Sequence, residues 1–95
     1  MPIRRMGRWM YPTDERILEH LNEESWGSPG TMASHYEFER MDIDELYLKE
    51  RCRQLHERAL ICPIVEGCDM FEITAEGLAY LRGDLDARYC RRYPI

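Results

Sequence analysis

The side chains of this 95-residue chain that could do chemistry are four cysteines, three histidines and a pair of cations four residues apart, Lys49 and Arg53. Cys52, Cys62, Cys68 and Cys90 include no CxxC pair, and none of His20, His35 and His56 stands beside a cysteine at the short spacing of a zinc site. The cysteines therefore read as reduced, structural thiols, although Cys62 and Cys68 fall on facing arms of a hairpin and leave a disulfide or a metal open. No Ser/His/Asp order, glycine-rich phosphate loop or carboxylate pair is recognisable, so no enzyme, cofactor or metal is expected. Lys49 and Arg53, with Tyr47 and Gln54 beside them, are residue types that read base edges in a DNA groove. The competing reading is a solvated helix face on which the cations pair with Glu45, Glu50 or Glu57.

A helix must present that pair. Leu48, Cys52, Leu55 and Ala59 recur at spacings of 4, 3 and 4, which predicts a helix over Asp42 to Leu60 with one apolar face. Ile43, Leu46 and Tyr47 open it with a second apolar edge. Beyond it, Ile61, Ile64 and Val65, a Glu66-Gly67 turn, and Phe71 and Ile73 alternating with Met70 and Glu72 predict a two-stranded hairpin that stops at Thr74.

Upstream, Thr13 is expected to cap a first helix whose Ile17, Leu18 and Leu21 face the core, with Trp9 and Met10 packed beneath. Residues 25 to 30 read as a loop. Thr31 then caps a short second helix, and Glu37 to Asp42 form the turn into the third. Downstream, Thr74 caps a helix holding Leu78, Ala79 and Leu81 and ended by Gly83, which Gly77 should weaken by about 1 kcal/mol relative to Ala. The fold class expected is α+β, a winged helix-turn-helix with a three-helix core, a two-stranded β-wing and an additional C-terminal helix. Residues 1 to 12 form a basic N-terminal arm, 13 to 83 the domain, and 84 to 95 a tail. In that tail Leu85, Tyr89 and Tyr93 repeat at i+4 and suggest a short helix and a homodimer contact.

Composition sets the surroundings. No apolar run reaches membrane-span or signal-peptide length, so a soluble, cytoplasmic protein is expected. The net charge of −5 hides an asymmetry: residues 9 to 87 hold all eighteen acidic residues and seven basic ones, a net of −11. The ends carry Arg4, Arg5, Arg8, Arg88, Arg91 and Arg92. Such ends either reach a nucleic-acid backbone or serve only as solubility tails. Twelve of the thirteen basic residues are arginine, with Lys49 the only lysine, a bias expected of a high-salt cytoplasm or of a GC-rich genome.

Trp9-Met10, Asp14 to Glu19, Thr31, Tyr47-Leu48 with Arg51 and Leu55, Leu60-Ile61, Phe71 to Thr74 with Gly77, and Tyr80 to Ala87 together resemble the haloarchaeal winged-helix proteins of the phage phiH repressor type. The likeness covers roughly residues 9 to 87 and is most specific in Ile73-Thr74-x-x-Gly77 and Tyr80-Leu81-x-Gly83-x-Leu85-Asp86. It departs from the family at Ala59, where glycine is usual, in the turn of the second helix, and at the acidic Asp42, Asp44 and Glu45. The resemblance implies a double-stranded-DNA-binding transcription regulator of repressor type with its recognition helix at about 43 to 58, and it makes halophilic adaptation the natural account of the acidic surface. The DNA contacts expected are Thr31, Tyr47, Lys49, Arg53 and Gln54, with Thr31 and nearby helix-start amides taking a phosphate, and Arg4, Arg5 and Arg8 from the arm. The acidic hairpin tip, Glu66 to Asp69, would repel phosphate. The alternative is a winged helix serving as a protein-interaction module without DNA.

Overall fold

The structure, a computed structural model, describes residues 3–90. Its elements are α1 (Pro12–Glu24), α2 (Pro29–Ala33), α3 (Tyr36–Glu39), α4 (Glu45–Glu57), β1 (Ile61–Pro63), β2 (Phe71–Ile73) and α5 (Ala75–Leu81), with a 3-10 turn at Ala87–Tyr89. The described residues thus form an α+β protein with five helices and one two-stranded antiparallel sheet. Ile61 stands opposite Ile73, Cys62 opposite Glu72 and Pro63 opposite Phe71. One residue extends the sheet on its other edge: Gly27, in the loop between α1 and α2, exchanges backbone hydrogen bonds of 3.0 and 2.7 Å with Phe71.

The core follows the apolar stripes. Ile17, Leu18 and Leu21 of α1, Met32 of α2, Phe38 of α3, Leu48, Cys52 and Leu55 of α4, Leu60 and Ile61 entering β1, and Tyr80 of α5 are all sealed from solvent. The predicted second edge of α4 is different. Ile43 packs partly against the core, but Leu46 is 77% exposed and Tyr47 39%. On a 3.6-residue helix these two positions lie off the face defined by Leu48, Cys52 and Leu55.

Two caps differ from those expected, for a shared reason. Proline at the first helical position needs no amide partner and fixes φ, so each of two helices starts one or two residues before its threonine. Tyr11, not Thr13, is the N-cap of α1, with Pro12 first and the Asp14 carboxylate accepting the Tyr11 N–H at 2.9 Å. Ser28, not Thr31, caps α2, with Pro29 first and Ser28 and Thr31 exchanging side-chain-to-backbone bonds. Residues expected as a turn instead form α3, whose cap is His35, its Nδ1 accepting the Glu37 N–H at 3.4 Å. The third helix is also shorter than expected: Asp44 caps it by accepting the Tyr47 N–H at 2.8 Å, while Asp42 at φ 56° stays outside.

The C-terminal end of α4 is a Schellman turn. Leu60 N–H reaches the Leu55 carbonyl and Ala59 N–H the His56 carbonyl, both at 3.0 Å, and Ala59 takes φ 63° to allow it. The same geometry ends α5, where Gly83 occupies the left-handed position. Thr74 caps α5 as expected, accepting the Gly77 N–H and donating to the Ala59 carbonyl at 2.6 Å. Gly77 is required rather than tolerated: a Cβ there would overlap the Leu60 carbonyl oxygen and lie 2.6 Å from Ile73 Cγ1.

The two ends of the described chain meet. Arg5 bridges Asp86 in parallel, Trp9 Nε1 donates to the Ala87 carbonyl at 3.0 Å, and Met10 is buried. Among the described residues of the tail, the helical part is the 3-10 turn, with Leu85 packed on the core and Tyr89 77% exposed; Tyr93 lies outside the described residues.

Candidate nucleic-acid interface

The outward face of α4 carries Glu45, Leu46, Lys49, Glu50 and Arg53, all exposed, with Tyr47 and Gln54 at its margins. Its inward face fixes the helix by more than apolar packing. Arg51 donates from Nε to Asp14 Oδ1 at 2.8 Å and from Nη2 to Asp14 Oδ2 at 2.7 Å and the Trp9 carbonyl at 2.9 Å. Asp14 is fully buried in α1, so this bidentate pair bolts α4 to α1. No local signal could have found it, because its members are 37 residues apart.

The two cations of the outward face are not equivalent. Arg53 is held on both sides, by Glu50 at 2.7 Å and by Glu57 at 2.8 Å. The hydrogen bond from Arg53, followed by that from Gln54, holds the Glu50 carboxyl down to about 2. Gln54 is itself spanned between Glu50 and Arg58. Lys49 is exposed and has no ion pair among the described residues. The solvated-face reading thus describes Arg53 in the free protein, and Lys49 is the cation left facing outward.

The remaining candidates divide into two groups. Thr31 sits on α2, which packs against α4, and the Glu45 carboxylate lies near Gly30 at the start of α2. The Thr31 N–H is already taken by Ser28 Oγ, and the hydroxyl is shared with Ser28. Arg4 is turned inward, bonding Glu19 at 2.7 Å and the Leu81 carbonyl at 3.2 Å. Arg5 and Arg8 are exposed, but their segment runs past Trp9, which meets α4 through Arg51 and Arg58. Since Lys49 and Arg51 point about 200° apart on the helix, the arm and the Lys49 face lie on opposite sides of α4.

The hairpin tip is acidic and partly apolar. Glu66, Gly67 and Asp69 are exposed, as are Ile64, Val65 and Met70, and Gly67 makes the turn at φ 83°. Cys68 closes that turn, its Sγ 3.4 Å from the Val65 N–H and 3.3 Å from the Met70 carbonyl. All four cysteines are free thiols, so Cys62 and Cys68 are not paired. Burial pushes the Cys52 thiol up to about 12, which keeps it protonated and inert.

A cluster outside this face escaped the sequence pattern as well. His20, His35 and Glu37, from α1 and the start of α3, bring ligand-type atoms within 4.8 Å of one another.

The architecture is therefore that of a small α+β protein whose exposed helix rests on a buried ion pair and a capped hairpin. It resembles the crystal structure of the PhiH1 repressor-like protein from Haloarcula marismortui, with a TM-score of 0.85 and 34% sequence identity over 97% of this chain and 99% of that one. The chain belongs to the PhiH1 repressor-like family. No protein-family model matches it, and no curated protein does.

Proposed function

We propose that the chain is a sequence-specific, double-stranded-DNA-binding transcription regulator built on a winged helix-turn-helix, with α4 as the recognition helix. The observation that carries this reading is the end-to-end likeness to a protein whose name describes it as repressor-like. The chain order also supports it. A helix, a single strand residue at Gly27, two further helix segments that pack as α2 on α4, and a hairpin pairing with Gly27 match the layout of a winged helix. In this arrangement α2 braces α4, and the outward residues of α4 enter the major groove.

Lys49 is the first contact in this account, with Tyr47 and Gln54 at its side. Arg53 joins them by exchanging Glu50 and Glu57 for DNA. The acidic hairpin tip and the exposed Arg5 and Arg8 are secondary; Arg4, held by Glu19, contributes to the fold. Acidic charge is tolerable at high salt, because the Debye length at 1 M is about 3 Å and long-range repulsion is screened. Counterion release is weak under the same conditions, so base contacts and shape must supply most of the affinity.

Binding to promoter fragments in molar KCl tests this, read by fluorescence anisotropy for the parent and for Lys49→Ala. The expected result is roughly tenfold weaker binding by the variant, within the range of about 1–3 kcal/mol for one lost contact. Equal binding by both would remove α4 from the interface. A second reading, a protein-interaction module, is favoured by Leu46, 77% exposed on the same face. It predicts that the parent binds no fragment and that Leu46→Asp abolishes association with a protein partner.

A further inference from the structure

The cluster of His20, His35 and Glu37 sits where α1 meets α3, away from the outward face of α4. We infer that it is a zinc site, with two imidazoles and one carboxylate as protein ligands and water as the fourth. The donor set is one that suits Zn²⁺. Its three ligand atoms lie within 4.8 Å of one another, against about 3.4 Å between neighbours in a tetrahedron of Zn–N bonds near 2.1 Å. The side chains that would have to close that gap, His35 and Glu37, are 29% and 20% exposed.

His20 is the fixed member. It is 5% exposed, its ring meets Phe38 edge-on at 5.7 Å and His35 at 4.8 Å, and Gly27 closes its other side. Burial lowers its proton affinity, with the neighbouring His35 acting in the same direction. Glu24, Glu37 and Glu23 are close enough to act on its charge, and their field favours a cation.

Two of the ligands already have neighbours that a metal would displace. Glu37 Oε2 is buried and, although 3.1 Å from Arg16 Nη2, makes no hydrogen bond. His35 Nδ1 holds only the 3.4 Å bond from the Glu37 N–H, beyond the usual range. Arg16 keeps Glu19 at 3.1 Å when Glu37 turns to a metal. A filled site would tie α3 to α1 and so fix the segment that joins α2 to α4.

Isothermal titration of the full chain with ZnCl₂, thiols kept reduced, tests the site, with melting temperature as a second readout. The parent should bind one equivalent and melt higher with zinc. His35→Ala and Glu37→Gln, both at half-exposed positions, should bind at least tenfold more weakly and lose the thermal gain. A Cys62→Ser/Cys68→Ser variant should bind as the parent does. No binding by the parent, unchanged binding by His35→Ala and Glu37→Gln, or loss of binding in the cysteine variant would each overturn the inference and leave the cluster as aromatic packing and an ion pair.

Discussion

Ala59 illustrates how one residue carries strain that the fold requires. Its φ of 63° is a left-handed position that costs an L-residue roughly 1–2 kcal/mol, and it is imposed by the two bonds that end α4 before the hairpin begins. Ala59→Gly should therefore stabilise the protein by about 1 kcal/mol, part of the relief being offset by the greater freedom of glycine in the unfolded chain. A denaturant midpoint that falls or stays fixed would count against that account. Tyr80 makes a second residue-scale case. Burial first, and then the bond its hydroxyl donates to Glu15 at 3.0 Å, raise its phenol above the ordinary value. The neutral form is the one the fold favours. Stability contributed this way is full below about pH 10 and declines as pH rises beyond it. Unfolding free energies of the parent should thus drop more steeply above pH 10 than those of Tyr80→Phe; parallel curves would contradict the assignment.

At the scale of elements, the contact between α5 and the strand entry reverses a local propensity. Helix propensity alone makes Gly77→Ala a gain of about 1 kcal/mol. The overlap of a new Cβ with the Leu60 carbonyl makes it a loss of about 1–3 kcal/mol instead, and thermal unfolding decides the sign. The same contrast marks what the sequence could and could not tell. Periodicity located α1, α4, α5 and the hairpin, because apolar spacing is a local property and the buried residues Ile17, Leu48 and Leu55 obey it; in α5 it picked out Leu78, Ala79 and Leu81, whereas the buried positions are Gly77, Tyr80 and Leu81. It misplaced the starts of α1 and α2, where Pro12 and Pro29 outweigh the threonines, and it missed α3, a single turn with only Phe38 buried. For the candidate site, the outward position of Lys49 followed from helix spacing. Helix spacing leaves Arg53 either to DNA or to the glutamates of its own helix, and Glu50 and Glu57 hold it in the free protein. The Asp14–Arg51 pair and the His20, His35 and Glu37 cluster join distant parts of the chain, and nothing short-range announces them.

For the molecule as a whole, charge distribution and docking geometry must agree. The ends of the described chain are fastened together through Arg5, Trp9, Asp86 and Ala87, so their cations are carried on a fixed edge rather than on a free arm. That edge lies across α4 from Lys49, so in this account the helix, not the ends, supplies the specific contact. With the net charge at −5, any complex must form through short-range fit where salt screens the acidic body. The most direct measurement is DNase I or hydroxyl-radical footprinting of promoter fragments in molar KCl. The account predicts one discrete protected site with the parent, weakened by Lys49→Ala. Cleavage that stays uniform along every fragment at saturating protein would contradict it.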